Sequence, residues 1–98
     1  LADSKVDARA TEALLQSVAT QFDRGEDVTM DAACLKYFAS EAVGRVADRA
    51  VQIHGGAGYM AEYKVERFYR DVRLLRIYEG TSQIQQVIIA REMLRGAK

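Results

Sequence analysis

The stretch Ile77-Tyr78-Glu79-Gly80-Thr81-Ser82-Gln83-Ile84-Gln85 separates two segments of helical periodicity and decides how the rest of the chain is arranged. A carboxylate and a glycine stand in the break. Small polar residues able to open a helix follow them. A carboxylate on a tight turn beside free backbone N–H groups can take a proton while those N–H groups hold the developing negative charge. The same residues fit a plain helix start, with Glu79 a first-turn acid favoured by the helix dipole and Gly80 a breaker. Local sequence leaves both readings open.

Downstream, the spacing predicts a helix over Ser82 to Arg95. Ser82 and Gln85 fit a capping box, and Ile84, Val87, Ile88 and Leu94 give an apolar face. Gly96 ends it, and Arg91 and Arg95 suit its negative end. Upstream, Val65 to Leu75 reads as a helix with Val65, Phe68, Tyr69, Val72 and Leu75 inward. Arg67, Arg70, Arg73 and Arg76 form an oblique basic row there. Such a row can meet phosphates, but Glu62, Glu66 and Asp71 stand close enough in sequence to pair with it. No wider basic surface surrounds it that would suit a nucleic acid.

Before that helix lies His54-Gly55-Gly56-Ala57-Gly58-Tyr59, where three of the seven glycines fall within four positions. Glycines allow positive φ and close approach of a ligand to the backbone. The spacing is not the dinucleotide fingerprint and no strand precedes it. A phosphate-cradling nest and a tightly packed loop both fit. His54, the one histidine, reads as a polar helix-end residue, because no cluster with metal-ligand spacing surrounds it.

Two long helices precede the glycine loop. Met30 to Ile53 buries Leu35, Phe38, Ala39, Ala42, Val43, Val46, Ala50 and Ile53, with Thr29 as cap. Its alanines and Gly44 let a neighbour approach closely, and Lys36, Glu41, Arg45, Asp48 and Arg49 supply its wet side. The first helix runs from the start to Asp23 with a stripe of Val6, Ala10, Ala13, Leu14, Val18 and Phe22. Gly25 stops it, and so short a link makes the two helices antiparallel neighbours.

The 98 residues give room for one small domain, and proline is absent, as suits long helices. Fourteen basic and fourteen acidic residues cancel, so no global field draws the chain to nucleic acid or an anionic membrane. No apolar run reaches bilayer-spanning length. The lone Cys34 excludes an internal disulfide, fits a reducing compartment, and reads as a buried inert thiol. The fold class is therefore all-α, an antiparallel helical bundle. Leu1-Ala2-Asp3 has neither an initiator methionine nor a cap box, and reads as a chain cut inside a helix.

Taken in order, Gln52-Ile53-His54-Gly55-Gly56-Ala57-Gly58-Tyr59, Glu62-Tyr63, Val65-Glu66-Arg67, Arg70-Asp71, Ile77-Tyr78-Glu79-Gly80-Thr81 and Ile84-Gln85 closely resemble the C-terminal helical domain of acyl-CoA dehydrogenases. The resemblance covers nearly the whole chain. It implies an incomplete four-helix bundle, and a longer parent with a helical and a β domain ahead of it. It implies an FAD enzyme that oxidises an acyl-CoA to the trans-2-enoyl-CoA, a homotetramer passing electrons to electron-transfer flavoprotein. Its setting would be the bacterial cytoplasm, or the mitochondrial matrix in a eukaryote. Glu79 matches the base that removes the α-proton. Gln52, Gly55 and Gly56 match contacts to the FAD pyrophosphate of a neighbouring subunit, Thr81 and Gln83 match FAD contacts at a helix start, and Tyr78 and Gly80 match the acyl pocket. No metal is implied. The family often has proline where this chain has Lys64, a departure that touches no chemistry. The piece by itself is expected to show no turnover. A second possibility is that it is an assembly module without activity of its own, driven by exposed apolar stripes.

Overall fold

The computed structural model describes residues 1–96. Four α-helices carry them: α1 Ala2–Asp23, α2 Thr29–His54, α3 Val65–Arg73 and α4 Ser82–Gly96. Short 3-10 turns at Gly55–Tyr59, Ala61–Tyr63 and Leu74–Arg76 join the later ones. No strand occurs among the described residues. The expected helix bounds hold to within one or two residues.

The 26-residue α2 is the spine. Helix α1 lies antiparallel along one side of it. The carboxylate of Asp7 on α1 accepts from the guanidinium groups of Arg45 at 3.1 Å and Arg49 at 2.9 Å on α2. Those hydrogen bonds hold the Asp7 carboxyl below its ordinary range. Arg45 and Arg49 therefore face α1 instead of forming a wet side. The other helices follow one another along α2. Helix α3 returns along its C-terminal half. Helix α4 continues the same way, with Ser82 beside Glu41 and Gln86 beside Tyr37, so it runs antiparallel to α2 towards its start. The break at 74–81 thus falls between two helices laid end to end, over the middle of α2.

The helix ends differ from expectation in two places. Thr29 does not cap α2: Val28 stands at the cap position without a side-chain bond, and Thr29 instead donates its N–H and hydroxyl to Asp27 Oδ1 at 3.0 and 2.6 Å. Thr81 opens α4, its hydroxyl accepting from the N–H of Ile84 at 3.2 Å, while Ser82 and Gln85 are turned to other partners. Gly25 ends α1 as expected, at φ +78°. Lys64 ends the second 3-10 turn at φ +65°, a conformation closed to proline, whose ring holds φ near −65°.

The faces differ more. Of the α1 stripe only Val18 is buried, while Val6 and Phe22 are 66 % and 69 % exposed. On α2 the buried residues are Ala33, Ser40, Ala42 and Ala47, and Ile53 is open to solvent. Phe68 and Tyr69 on α3, and Ile84, Val87 and Leu94 on α4, are exposed too. The shape explains this. The chain is a slab of 54 × 23 × 20 Å with a radius of gyration of 16.0 Å, against about 13 Å for a compact domain of this length. Each helix touches α2 and little else, so each keeps one apolar edge uncovered. Cys34 is half-buried, and burial, with Asp31 second, pushes its thiol up.

The glycine segment is wound tightly against the end of α2. Gly58 is buried, and a Cβ there would sit 2.5 Å from the carbonyl oxygen of Val51. That oxygen belongs to helix backbone and cannot move aside. Gly56 has open space over its Cα. We expect Gly58→Ala to destabilise the fold by about 1–3 kcal/mol through overpacking, whereas Gly56→Ala leaves it nearly unchanged; denaturant titration of the two variants checks this.

Candidate active site

The turn between α3 and α4 is held from beneath by α2. The chain leaves the 3-10 turn at Leu74–Arg76, passes Ile77 and Tyr78, and reaches Glu79 at φ +54° and Gly80 at φ +85°. Two successive left-handed residues kink the chain between the two helices. Glycine takes this conformation freely; glutamate does so at a cost of about 1–2 kcal/mol. A Cβ on Gly80 would also meet the buried Gln85 amide at 2.7 Å. That amide donates to the carbonyls of Glu79 and Gly80 at 3.4 Å each.

Lys36 is the principal anchor. Its Nζ donates to the carbonyl oxygens of Leu75 at 2.8 Å, Tyr78 at 3.2 Å and Gly80 at 2.6 Å. An ammonium has three N–H donors, and all three are used on one stretch of backbone. Glu41 is the second anchor. It accepts from Arg76 Nη1 at 3.1 Å and from the Ser82 hydroxyl at 2.7 Å, gripping the turn at both edges. Burial works to raise the Glu41 carboxyl, but the Ser82 and Arg76 hydrogen bonds outweigh it and leave the group below its ordinary range. The guanidinium of Arg76 lies over Gly44, 3.6 Å from where a Cβ would be, with its Nε buried and unpaired. Of the arginine row, Arg76 has an acidic partner, and that partner is Glu41. Among the described residues Glu62, Glu66 and Asp71 form no ion pair with the row.

Lys36 and Glu41 read in the sequence as part of a solvated face, and their part in the site was missed. The pattern held no signal for them, since the turn they hold is about 40 residues further along the chain.

What they hold up is left free. The Glu79 carboxylate has no hydrogen bond or ion pair among the described residues, and its backbone N–H finds no acceptor there. Tyr78, Ile77 and Ile84 beside it are about half exposed, so the carboxylate stands on an apolar rim. At the start of α4, the N–H groups of Ser82 and Gln83 have no acceptor among the described residues, and Gln83 is exposed. That end can receive an anion.

The structure divides the residues singled out from sequence into two groups. Tyr78, Glu79, Gly80, Thr81 and Gln83 lie together at the turn. Gln52, Gly55 and Gly56 do not join them. Lys36 and Gln52 stand sixteen residues apart on α2, about 24 Å along a helix. At that far end Gln52 is exposed and nothing obstructs the space above Gly55 and Gly56. His54 Nδ1 lies 2.7 Å from the carbonyl of Ala50, as a helix-end residue does. No cluster of possible metal ligands occurs among the described residues, and no helix is long and apolar enough to cross a membrane.

The family model of the acyl-CoA dehydrogenase C-terminal domain matches residues 1–94. The chain belongs to the acyl-CoA dehydrogenase family. It is 44 % identical over 95 residues to the caffeyl-CoA reductase–Etf complex subunit CarC of Acetobacterium woodii, covering 97 % of this chain and 25 % of that protein. Its structure superposes on butyryl-CoA dehydrogenase from Megasphaera elsdenii with a TM-score of 0.92 and 40 % identity, over 96 % of this chain and 24 % of the other. It superposes on the FAD complex of PigA with a TM-score of 0.90 and 33 % identity, over 96 % and 25 %. The chain thus spans about a quarter of the length of the relatives it matches.

Within this acyl-CoA dehydrogenase domain the Glu41 anchor has a pH signature. Its depressed carboxyl contributes stability that is fully present above the ordinary value of 4.5 and is lost as pH falls through the folded value. We expect Glu41→Gln to lower the unfolding midpoint at pH 6 and the difference from wild type to shrink steadily below pH 4.5, as parallel melts across that range will show.

Proposed function

We propose that the full-length protein is an FAD-dependent acyl-CoA dehydrogenase carrying out α,β-dehydrogenation to the trans-2-enoyl-CoA, with Glu79 as the base. The observation that carries this is the turn itself. A glutamate is held at φ +54°, its carboxylate and its N–H both left unpartnered, on a backbone that three Lys36 hydrogen bonds support. Backbone strain at a residue whose surroundings impose it is a mark of function.

The chemistry suits those groups. An α-proton beside a thioester is weakly acidic, so its removal needs a positioned base and donors for the oxygen that gains charge. Glu79 takes the proton on its carboxylate. Its backbone N–H donates to the thioester oxygen, one half of an oxyanion hole. Tyr78 and Gly80 line the acyl chain and keep water from the carboxylate. FAD, when bound, supplies the acceptor for the hydride that leaves the β-carbon. Thr81 and Gln83 would hold that cofactor at the start of α4, where free N–H groups suit an anion. Gln52, Gly55 and Gly56, about 24 Å away by helix rise, would hold the pyrophosphate of a second FAD, one belonging to a neighbouring subunit of a tetramer. Electron-transfer flavoprotein would be the electron partner, a reading supported by the Etf complex for which the relative CarC is named.

The 98-residue chain by itself is inactive on this reading, since it carries one edge of each site. Its uncovered apolar side chains, among them Val6, Phe22, Phe68 and Leu94, favour a part in assembly. Sedimentation of the isolated chain should show concentration-dependent association; a stable monomer at high concentration would remove the assembly role.

In the full-length enzyme, anaerobic mixing with an acyl-CoA should bleach the flavin. Glu79→Gln should slow that bleaching by about 10²–10⁴-fold, the usual contribution of a general base, with acyl-CoA binding retained. Undiminished bleaching would assign the base elsewhere.

A further inference from the structure

We propose that Lys36 is a positioning residue for the reaction: its ammonium sets the left-handed turn that carries Glu79, and so sets where the carboxylate meets the substrate. This rests on the assignment of Glu79 as base.

Three features carry the inference. First, the three acceptors of Lys36 are the carbonyls of Leu75, Tyr78 and Gly80, which bracket Glu79 on both sides at 2.8, 3.2 and 2.6 Å. Second, the bracketed residue is the one in strained backbone, at φ +54°. Nothing local explains why glutamate should stay there. No side-chain bond of its own fixes it, and the Gln85 amide reaches its carbonyl and that of Gly80 only at a weak 3.4 Å each. Third, the clamp leaves the reacting groups alone. Lys36 touches carbonyl oxygens, so it spends no donor on the Glu79 carboxylate and blocks no N–H of the turn. Carbonyls drawn down onto α2 point the N–H groups of the same peptides the other way, outward from the spine. The carboxylate and the Glu79 N–H are presented together as a consequence.

Glu41 does not duplicate this. It holds Arg76 and Ser82, the residues where the turn begins and where α4 starts. Those bonds fix the ends of the loop and leave φ of Glu79 undetermined. Between them Lys36 bonds to the carbonyls of Tyr78 and Gly80 at 3.2 and 2.6 Å, against which the Gln85 amide adds only long contacts of 3.4 Å.

The test uses the full-length enzyme with FAD bound. Lys36→Met keeps the aliphatic stem and removes the three donors. Butyryl-, octanoyl- and isovaleryl-CoA are compared, and whichever reduces the wild-type flavin fastest is used. The rate constant for flavin reduction at saturating acyl-CoA should fall about 10–100-fold, as a base displaced by an ångström or so would give. The half-saturating concentration should change by less than about twofold, since binding contacts are untouched. Independently of turnover, amide hydrogen exchange at residues 78–81 in the substrate-free enzyme should quicken in Lys36→Met, while exchange in α1 stays as in wild type. If Lys36→Met fails to fold, Lys36→Gln, which keeps a shorter pair of donors, serves in its place with a smaller effect in the same direction.

Unchanged exchange at residues 78–81 overturns the clamp. Quickened exchange with an unchanged reduction rate overturns its positioning role and leaves a structural one. The companion variant Glu79→Gln separates the two proposals. If it bleaches normally, the base assignment fails, and the exchange experiment still decides the clamp.

Discussion

The arrangement depends on one cation meeting three carbonyls. Lys36 stands on the wall of a long helix, and the turn between α3 and α4 passes over it with the carbonyls of Leu75, Tyr78 and Gly80 within reach. A turn with a non-glycine residue in left-handed backbone carries a penalty of about 1–2 kcal/mol. A hydrogen bond to a charged group is worth about 1.5–3 kcal/mol net, less where solvent reaches it. One of the three bonds already matches the penalty, so the strained glutamate is sustained with something to spare. A neutral donor in the place of Lys36 would have little margin.

From that contact the rest of the geometry follows. Helix α2 must be long, because it braces the turn near its middle and the glycine segment at its end. Helices α3 and α4 must be laid end to end, because the turn they flank has to cross α2 at the clamp. Laid so, they cannot cover one another, and the apolar edges of α1, α3 and α4 stay open. The Asp7 carboxylate between Arg45 and Arg49 keeps α1 in register on the opposite side. The buried residues of α2 are small, three alanines and a serine, so the neighbours sit close. That closeness brings a lysine side chain within reach of loop backbone.

The sequence made the helices legible and their faces only partly so. Periodicity shows which residues share a side, as it did for Val6, Val18 and Phe22. It cannot show whether anything lies against that side, and for most of the stripe nothing does. The cap of α4 moved by one residue because Thr81 and Ser82 are both competent, and a tertiary partner decided between them: Ser82 went to Glu41, leaving Thr81 to cap α4. The turn around Glu79 was legible as a break with chemical potential. Its strain and its free N–H were not, because they come from Lys36. A charged residue on a helix pattern reads as solvated whenever its partner is far away in sequence, and both anchors of the site are of that kind.

Relatives of this chain include one named as a dehydrogenase and one named as a reductase. On the function proposed above, the geometry accounts for both within one scaffold. A carboxylate that accepts the α-proton when an acyl-CoA is oxidised must return it to the same carbon when the enoyl-CoA is reduced, since the two directions share a transition state. The N–H that steadies the thioester oxygen serves either direction equally, because the charge it stabilises belongs to that shared state. What the turn contributes is therefore position, not direction. Direction is set by the electron donor or acceptor, and those contacts fall to parts of the protein beyond this turn. A strained, clamped glutamate is the element that can be kept unchanged while the redox partner varies.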